Sequence, residues 1–152
     1  MKQKTAIITG VITALVLAVT AALFMVRAAE DKVTADVLSR VDRFAIPADW
    51  KLEKEIVRPE RFLCTSPNPC PSISRRWDAG QEITLDELKS VIAGVGFEMK
   101  IERNCQRRGD AIGDTTVCEA SGNDGAYDYI LNVTSPHPNE PDIVVLSVQP
   151  HL

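Results

Sequence analysis

Histidine is scarce in this chain: 152 residues include two, His137 and His151. His137 lies in the proline-rich stretch Ser135-Pro136-His137-Pro138, His151 is next to the last residue, and neither has a nucleophile beside it in the sequence. Both are expected at the surface, and no catalytic constellation is legible. Cysteine occurs four times, without the Cys-x-x-Cys spacing of redox enzymes or the close pairs of a structural zinc site. Neither a metal nor another cofactor is implied. Asp124 and Asp128 bracket Gly125 but miss the EF-hand pattern, so turn chemistry accounts for them. A positive balance of charge is also missing. The formal net charge is -4, and Lys2 and Lys4 precede the first apolar run, so the remainder is more acidic still. Nucleic acid and anionic membrane surfaces both reward clustered Lys and Arg, and neither is an expected ligand. There is no internal repeat and no low-complexity tract.

The longest absence is of charge itself. From Thr5 to Val26 no residue is ionisable, and the run reads TAIITGVITALVLAVTAALFMV. A helix of that length spans about 30 Å, the thickness of a bilayer's hydrocarbon core. Residues 1–4, carrying Lys2 and Lys4, then form a cytoplasmic tail by the positive-inside rule, and the chain crosses once, with its C-terminal part outside. The alternative is a signal peptide, cleaved near Thr20 and Ala22 or near Val26 and Ala28, although signal h-regions are usually shorter. No cysteine follows the segment, so a bacterial lipoprotein anchor is not available.

Residues 27–48 read as a helical stalk. Thr34 has the chemistry of a helix cap, Val37, Leu38, Val41 and Phe44 follow at helical spacing, and Ile46-Pro47 ends the helix. A simple spacer is the expectation; the alternative is a helix that packs on the domain or on a second copy. Residues 49–152 should then form an α+β domain, an antiparallel sheet with one or two packed helices. Trp50 to Val57 is a strand candidate of poor alternation, and Ile73, Arg75 and Trp77 alternate with Ser72, Ser74 and Arg76 as a second. Thr84 and Glu87 have capping-box spacing before the apolar stripe Leu85, Leu88, Val91, Ile92 and Val95, which predicts a core helix. Four more strands are expected: Phe97 to Ile101, Thr115 to Ala120, Tyr127 to Val133 after the turn Gly122-Asn123-Asp124-Gly125, and Asp142 to Val148. The last is apolar on both faces over Ile143 to Leu146, as a central strand would be.

All four cysteines follow the apolar segment, and an even count outside the cytoplasm reads as two disulfides. Cys64 and Cys70 close a loop stiffened by Pro67 and Pro69, and Cys105 and Cys118 flank a predicted hairpin tip, so these pairings are expected. The tip carries Arg107 and Arg108, with the tripeptide Arg108-Gly109-Asp110 that integrins recognise. Asn132-Val133-Thr134 is a glycosylation sequon placed mid-strand. Arg75, Arg76 and Trp77, with Arg107 and Arg108, form a candidate cationic and aromatic interaction patch; the alternative keeps Trp77 in the core between solvated arginines.

Several features from Trp50 onward resemble a family of uncharacterised small membrane-anchored or exported actinobacterial proteins. They are Pro47 followed by Trp50, the cysteine-bearing loop, Ser72 to Trp77, a helix ending in Gly96, and Cys105 with Cys118. The resemblance implies an envelope setting and no activity. The expected function is a membrane-tethered, extracytoplasmic binding or interaction domain of the cell envelope, held by residues 5–26 and engaging an envelope protein. An accessory or structural subunit of an envelope complex and an envelope enzyme without a recognisable motif are the alternatives.

Overall fold

The computed structural model describes residues 2–62, 64, 69–106, 114–137 and 140–151, with helical side chains from residue 10 onward. Helix α1 runs unbroken from Lys2 to Val41. At 1.5 Å per residue its 40 residues extend about 60 Å, twice a bilayer core. Between Val26 and Val41 there is neither glycine nor proline, and residues 27–32 are Ala, Arg, Glu, Asp and Lys, which mostly propagate a helix well. Thr34 therefore does not begin a helix, contrary to the sequence expectation. It lies inside α1, where its hydroxyl donates to the Glu30 carbonyl (3.0 Å) and accepts from the Glu60 amide (3.0 Å).

Among the described residues six strands follow: β1 (Lys51–Arg58), β2 (Ser72–Asp78), β3 (Met99–Arg103), β4 (Thr115–Asn123), β5 (Tyr127–Ser135) and β6 (Ile143–Pro150), with helix α2 (Leu85–Ile92) between β2 and β3. They make one antiparallel sheet in the order β1-β2-β6-β5-β4-β3. The β1–β2 hairpin and the β3-to-β6 meander are joined side by side through β2 and β6. The expected central strand is β6, whose flanking partners β2 and β5 account for its apolar run.

One face of the sheet is covered. Ile73, Trp77, Val144, Leu146, Val148, Tyr129, Leu131, Val133, Cys118 and Ala120 point into a single buried cluster with Val37, Val41 and Phe44 of the α1 end and Leu88, Val91 and Val95 of the α2 region. The capping box forms as its spacing predicts: Thr84 Oγ1 accepts from the Glu87 amide, and the Glu87 carboxylate accepts from the Thr84 amide (2.7 Å). The two helices meet at their C-terminal ends, where the Ala45 amide donates to the Val91 carbonyl (3.0 Å). Burial along α1 falls on Glu30, Val37 and Val41, with Thr34 and Leu38 half-buried, one stripe at helical spacing. The segment expected to be a spacer is thus part of the domain core, because its stripe fills the groove the sheet and α2 leave open.

Gly122 is fixed by close approach. It faces Tyr129 on one side and Met99 on the other, and the Phe97 ring lies 4.4 Å from the Tyr129 ring. A Cβ there would stand 2.5 Å from Met99 Sδ and 2.6 Å from the Glu98 carbonyl oxygen, so no larger residue fits without backbone movement. Both expected disulfides are present, Cys64–Cys70 with Cα atoms 6.1 Å apart and Cys105–Cys118 at 4.4 Å. Cys105 lies just beyond β3 rather than within it, beside the Gln106 amide that donates to the Val117 carbonyl (3.2 Å).

Candidate functional site

Two surfaces organise the molecule: the contacts that lock α1 to the sheet, and the sheet face that no helix among the described residues covers. The first contains three polar clamps. Nearest the apolar segment, Glu30 accepts from the Phe62 amide at Oε1 (2.7 Å) and from Arg61 at Oε2 (3.3 Å), which satisfies a carboxylate only 9% exposed. Further along, Arg40 bridges Asp36 (2.8 Å) and Asp124 and lies 5.2 Å from the Tyr127 ring centroid. At the helix end, Arg75 pairs with Asp42 (2.6 Å) and with Glu55 of β1.

Asp124 is the centre of the second clamp. It sits in the β4–β5 turn, which Gly125 closes with a φ of +89°. Its Oδ1 accepts from the Ala126 (3.0 Å) and Tyr127 (2.9 Å) amides and its Oδ2 from the Tyr129 hydroxyl (2.7 Å) and Arg40. Burial alone would push this carboxyl up; Tyr129, the two amides and Arg40 more than offset it and hold the pKa at about 2. The Tyr129 hydroxyl is pushed up, first by burial and then by donation to Asp124. Burial opposes the charge of Arg40, but its hydrogen bonds to Asp36 and Asp124 win, and its pKa rises. Turn chemistry is half the role of Asp124; its tie to a helix 84 residues away is not readable from local spacing.

The uncovered face carries two rows across the strands. Ile56, Ser74, Ser147, Ile130, Ser121 and Lys100 make one; Lys54, Arg76, Val145, Asn132, Glu119 and Arg103 make the other. Toward β3 this face holds an open depression of ≈ 510 Å³, whose lining includes Lys100, Glu102, Ser121, Asp128, Ile130 and Gln149. Several of its polar groups are engaged with one another. Glu102 accepts from Lys100 (3.0 Å) and the Ser121 hydroxyl (3.2 Å), and the Lys100 contact foremost lowers its pKa. Asp128 accepts from Asn123 (2.6 Å) and meets the His151 ring at Nδ1 (2.9 Å). The result is an open surface that sets these charged and hydroxyl groups beside apolar area that includes the half-buried Ile130.

The candidate patch of the sequence is taken apart by the strand. Trp77 is 5% exposed and belongs to the core; Arg75 turns to the helix side, to Asp42 and Glu55, and Arg76 turns outward to Glu53 (2.9 Å). Adjacent residues of a strand face opposite ways, so these three cannot present one surface. Arg107, Arg108 and the Arg108-Gly109-Asp110 tripeptide lie outside the described residues. His137 and His151 are both exposed. Among the described residues no group of three or more His, Cys, Asp or Glu side chains could hold a metal ion. A smaller cavity of ≈ 260 Å³ beside the Cys105–Cys118 bridge is lined by Thr84, Gln106 and Asp142, whose carboxylate accepts from the Ile83 amide (2.7 Å). Comparisons with family models, with curated proteins and with solved structures find no match to this chain.

Proposed function

We propose that this chain is a single-pass membrane protein of the cell envelope whose disulfide-bonded domain lies outside the cytoplasm and binds a partner through the open face of its sheet. The observation that carries the reading is the continuity of α1. Its apolar side chains from Val11 to Val26 are all exposed, and the same helix enters the domain core at Val37 and Val41. A helix bared over a bilayer's thickness and then buried is what an anchor fused to its domain requires. The two disulfides fit an oxidising compartment, and Lys2 and Lys4 at the other end fit a cytoplasmic tail. A bacterial envelope is the setting that the sequence resemblance implies.

Binding is favoured over catalysis by the character of the open face. Small-molecule sites bury most of their ligand in a concave pocket, whereas this depression is open and its Ser121 hydroxyl donates to a carboxylate already paired with Lys100. Such a face suits a partner with complementary polar groups, and the membrane-held copy presents it in a fixed orientation. A secreted form is the second reading. Burial on α1 begins at Glu30, so cleavage after Ala28 would leave the domain's contacts whole.

The test is a photo-reactive residue at Ser121 in the full chain, in native membranes, against the same label at Asp86, whose side chain is 93% exposed on α2. A discrete adduct from position 121 and none from position 86 is expected. Equal labelling from both, or none from Ser121 or Ser147, overturns the open face as the binding surface. A reporter active only outside the cytoplasm, fused after Leu152, should be active; a silent one overturns the topology.

A further inference from the structure

Outside α1, Phe62 is the most exposed large apolar side chain among the described residues, at 84%. A lone exposed phenylalanine is ordinary, so its position must decide its meaning. The segment after β1 runs along α1 toward the apolar end: the Glu60 amide bonds Thr34, and two residues on the Phe62 amide bonds Glu30. That step covers one helical turn, about 6 Å along the axis. Glu30 itself is four residues beyond Val26, the last of the uncharged run, which is another 6 Å or so. The headgroup layer on each side of a bilayer is roughly 5–7 Å deep. The Phe62 backbone therefore lies at the outer edge of that layer, held there by a buried carboxylate on the anchoring helix itself. Arg61, beside it, salt-bridges Glu30 (3.3 Å).

We infer that Phe62 is a second membrane contact, an aromatic foot that rests in the headgroup layer of the bilayer α1 crosses and fixes the tilt of the domain against it. The inference rests on the anchored reading given above. Phenylalanine, like tryptophan and leucine, buries at the boundary between headgroups and acyl chains, where an apolar ring meets lipid while the backbone stays hydrated. Glu30 positions the foot: its two oxygens hold the amide of Phe62 and the guanidinium of Arg61, so the ring is presented at one depth rather than on a free loop. The chemistry that recognises Phe62 is the lipid interface, not a protein groove.

The experiment uses the full chain reconstituted in phosphatidylcholine vesicles, with Phe62→Trp read against wild type and against Leu52→Trp. Leu52 is 49% exposed on the edge strand β1, at the strand end remote from Phe62. Trp50 and Trp77 are buried, at 7% and 5%, and supply a background that a lipid-borne quencher does not reach. With nitroxide-labelled lipid of shallow depth, the emission added by Phe62→Trp should be mostly lost and that added by Leu52→Trp kept. Flotation of the vesicles is measured on the same samples. Protein that floats while Phe62→Trp stays unquenched overturns the foot and leaves the anchor standing, and a protein partner then becomes the occupant to seek. Protein that does not float overturns both.

Discussion

The sharpest energetic consequence concerns Asp124. Its side chain is 9% exposed and joins the β4–β5 turn, the Tyr129 hydroxyl and Arg40 of α1. Replacing it with Asn keeps a neutral acceptor for the two amides and removes the charge that Arg40 and Tyr129 face. Lowering a carboxyl from 3.8 to about 2 corresponds to about 2 kcal/mol of folding stability. The carboxyl is depressed in the folded state, so this stability is full above the unfolded value near pH 4. It is lost as the pH falls through about 2, below which both states are protonated. Urea unfolding of the full chain in detergent, followed by Trp50 and Trp77 emission, measures it. Asp124→Asn should cost about 2 kcal/mol at neutral pH, and its gap from wild type should close between about pH 4 and about pH 2. A gap that persists unchanged down that range would refute the clamp as a charge-dependent device.

Other substitutions test other parts of the packing. Gly122→Ala should cost about 1–3 kcal/mol in the same assay, because the new methyl meets the Glu98 carbonyl, which belongs to the backbone and cannot swing away; an unchanged midpoint contradicts the close approach. Leu88→Ala, at a site 1% exposed, should cost about 2–5 kcal/mol. Thr84→Ala should cost only the cap, about 0.5–2 kcal/mol, and the reverse order would mean that α2 does not face the sheet. Removing Cys105–Cys118 should destabilise more than removing Cys64–Cys70. The sequence separations of 13 and 6 give a chain-entropy difference of about 0.7 kcal/mol, and Cys118 is in addition fully buried; equal losses from the two double serine variants would contradict this.

Much of the domain is legible because its signals are local. The Thr84–Glu87 capping box, the alternation of Tyr127, Tyr129, Leu131 and Val133, and the doubly apolar run Ile143 to Leu146 each encode a partner face within a few residues. The disulfide pairing follows from loop chemistry at short separation. What fails is non-local or two-valued. Thr34 has the side chain of a helix cap, but a threonine inside a helix satisfies its hydroxyl on the preceding turn, and only the good helix formers before it distinguish the cases. Arg40 and Asp124 carry no motif, since their link depends on where α1 lies over the sheet. Arg75 and Trp77 look like an exposed patch by composition, and only strand parity together with the partners Asp42 and Glu55 assigns them to the covered side. The polar rows of the open face read simply as the wet side of each strand; their assembly into one surface needs the strand order, which no local pattern holds.

That the end of α1 is part of the folded domain, and no spacer, can be measured directly by comparing two truncated chains. One begins at Arg27 and keeps Glu30, Val37, Arg40 and Val41; the other begins at Asp42 and lacks them all. Val37 and Val41 are 0% and 1% exposed, and burying each contributes about 1.5–3 kcal/mol, to which the Arg40–Asp124 clamp adds. A domain of this size has only about 5–15 kcal/mol in total. Residues 27–152 should therefore unfold in urea as one cooperative transition, and residues 42–152 should show no folded baseline. Equal midpoints for the two chains would contradict the continuity of anchor and core.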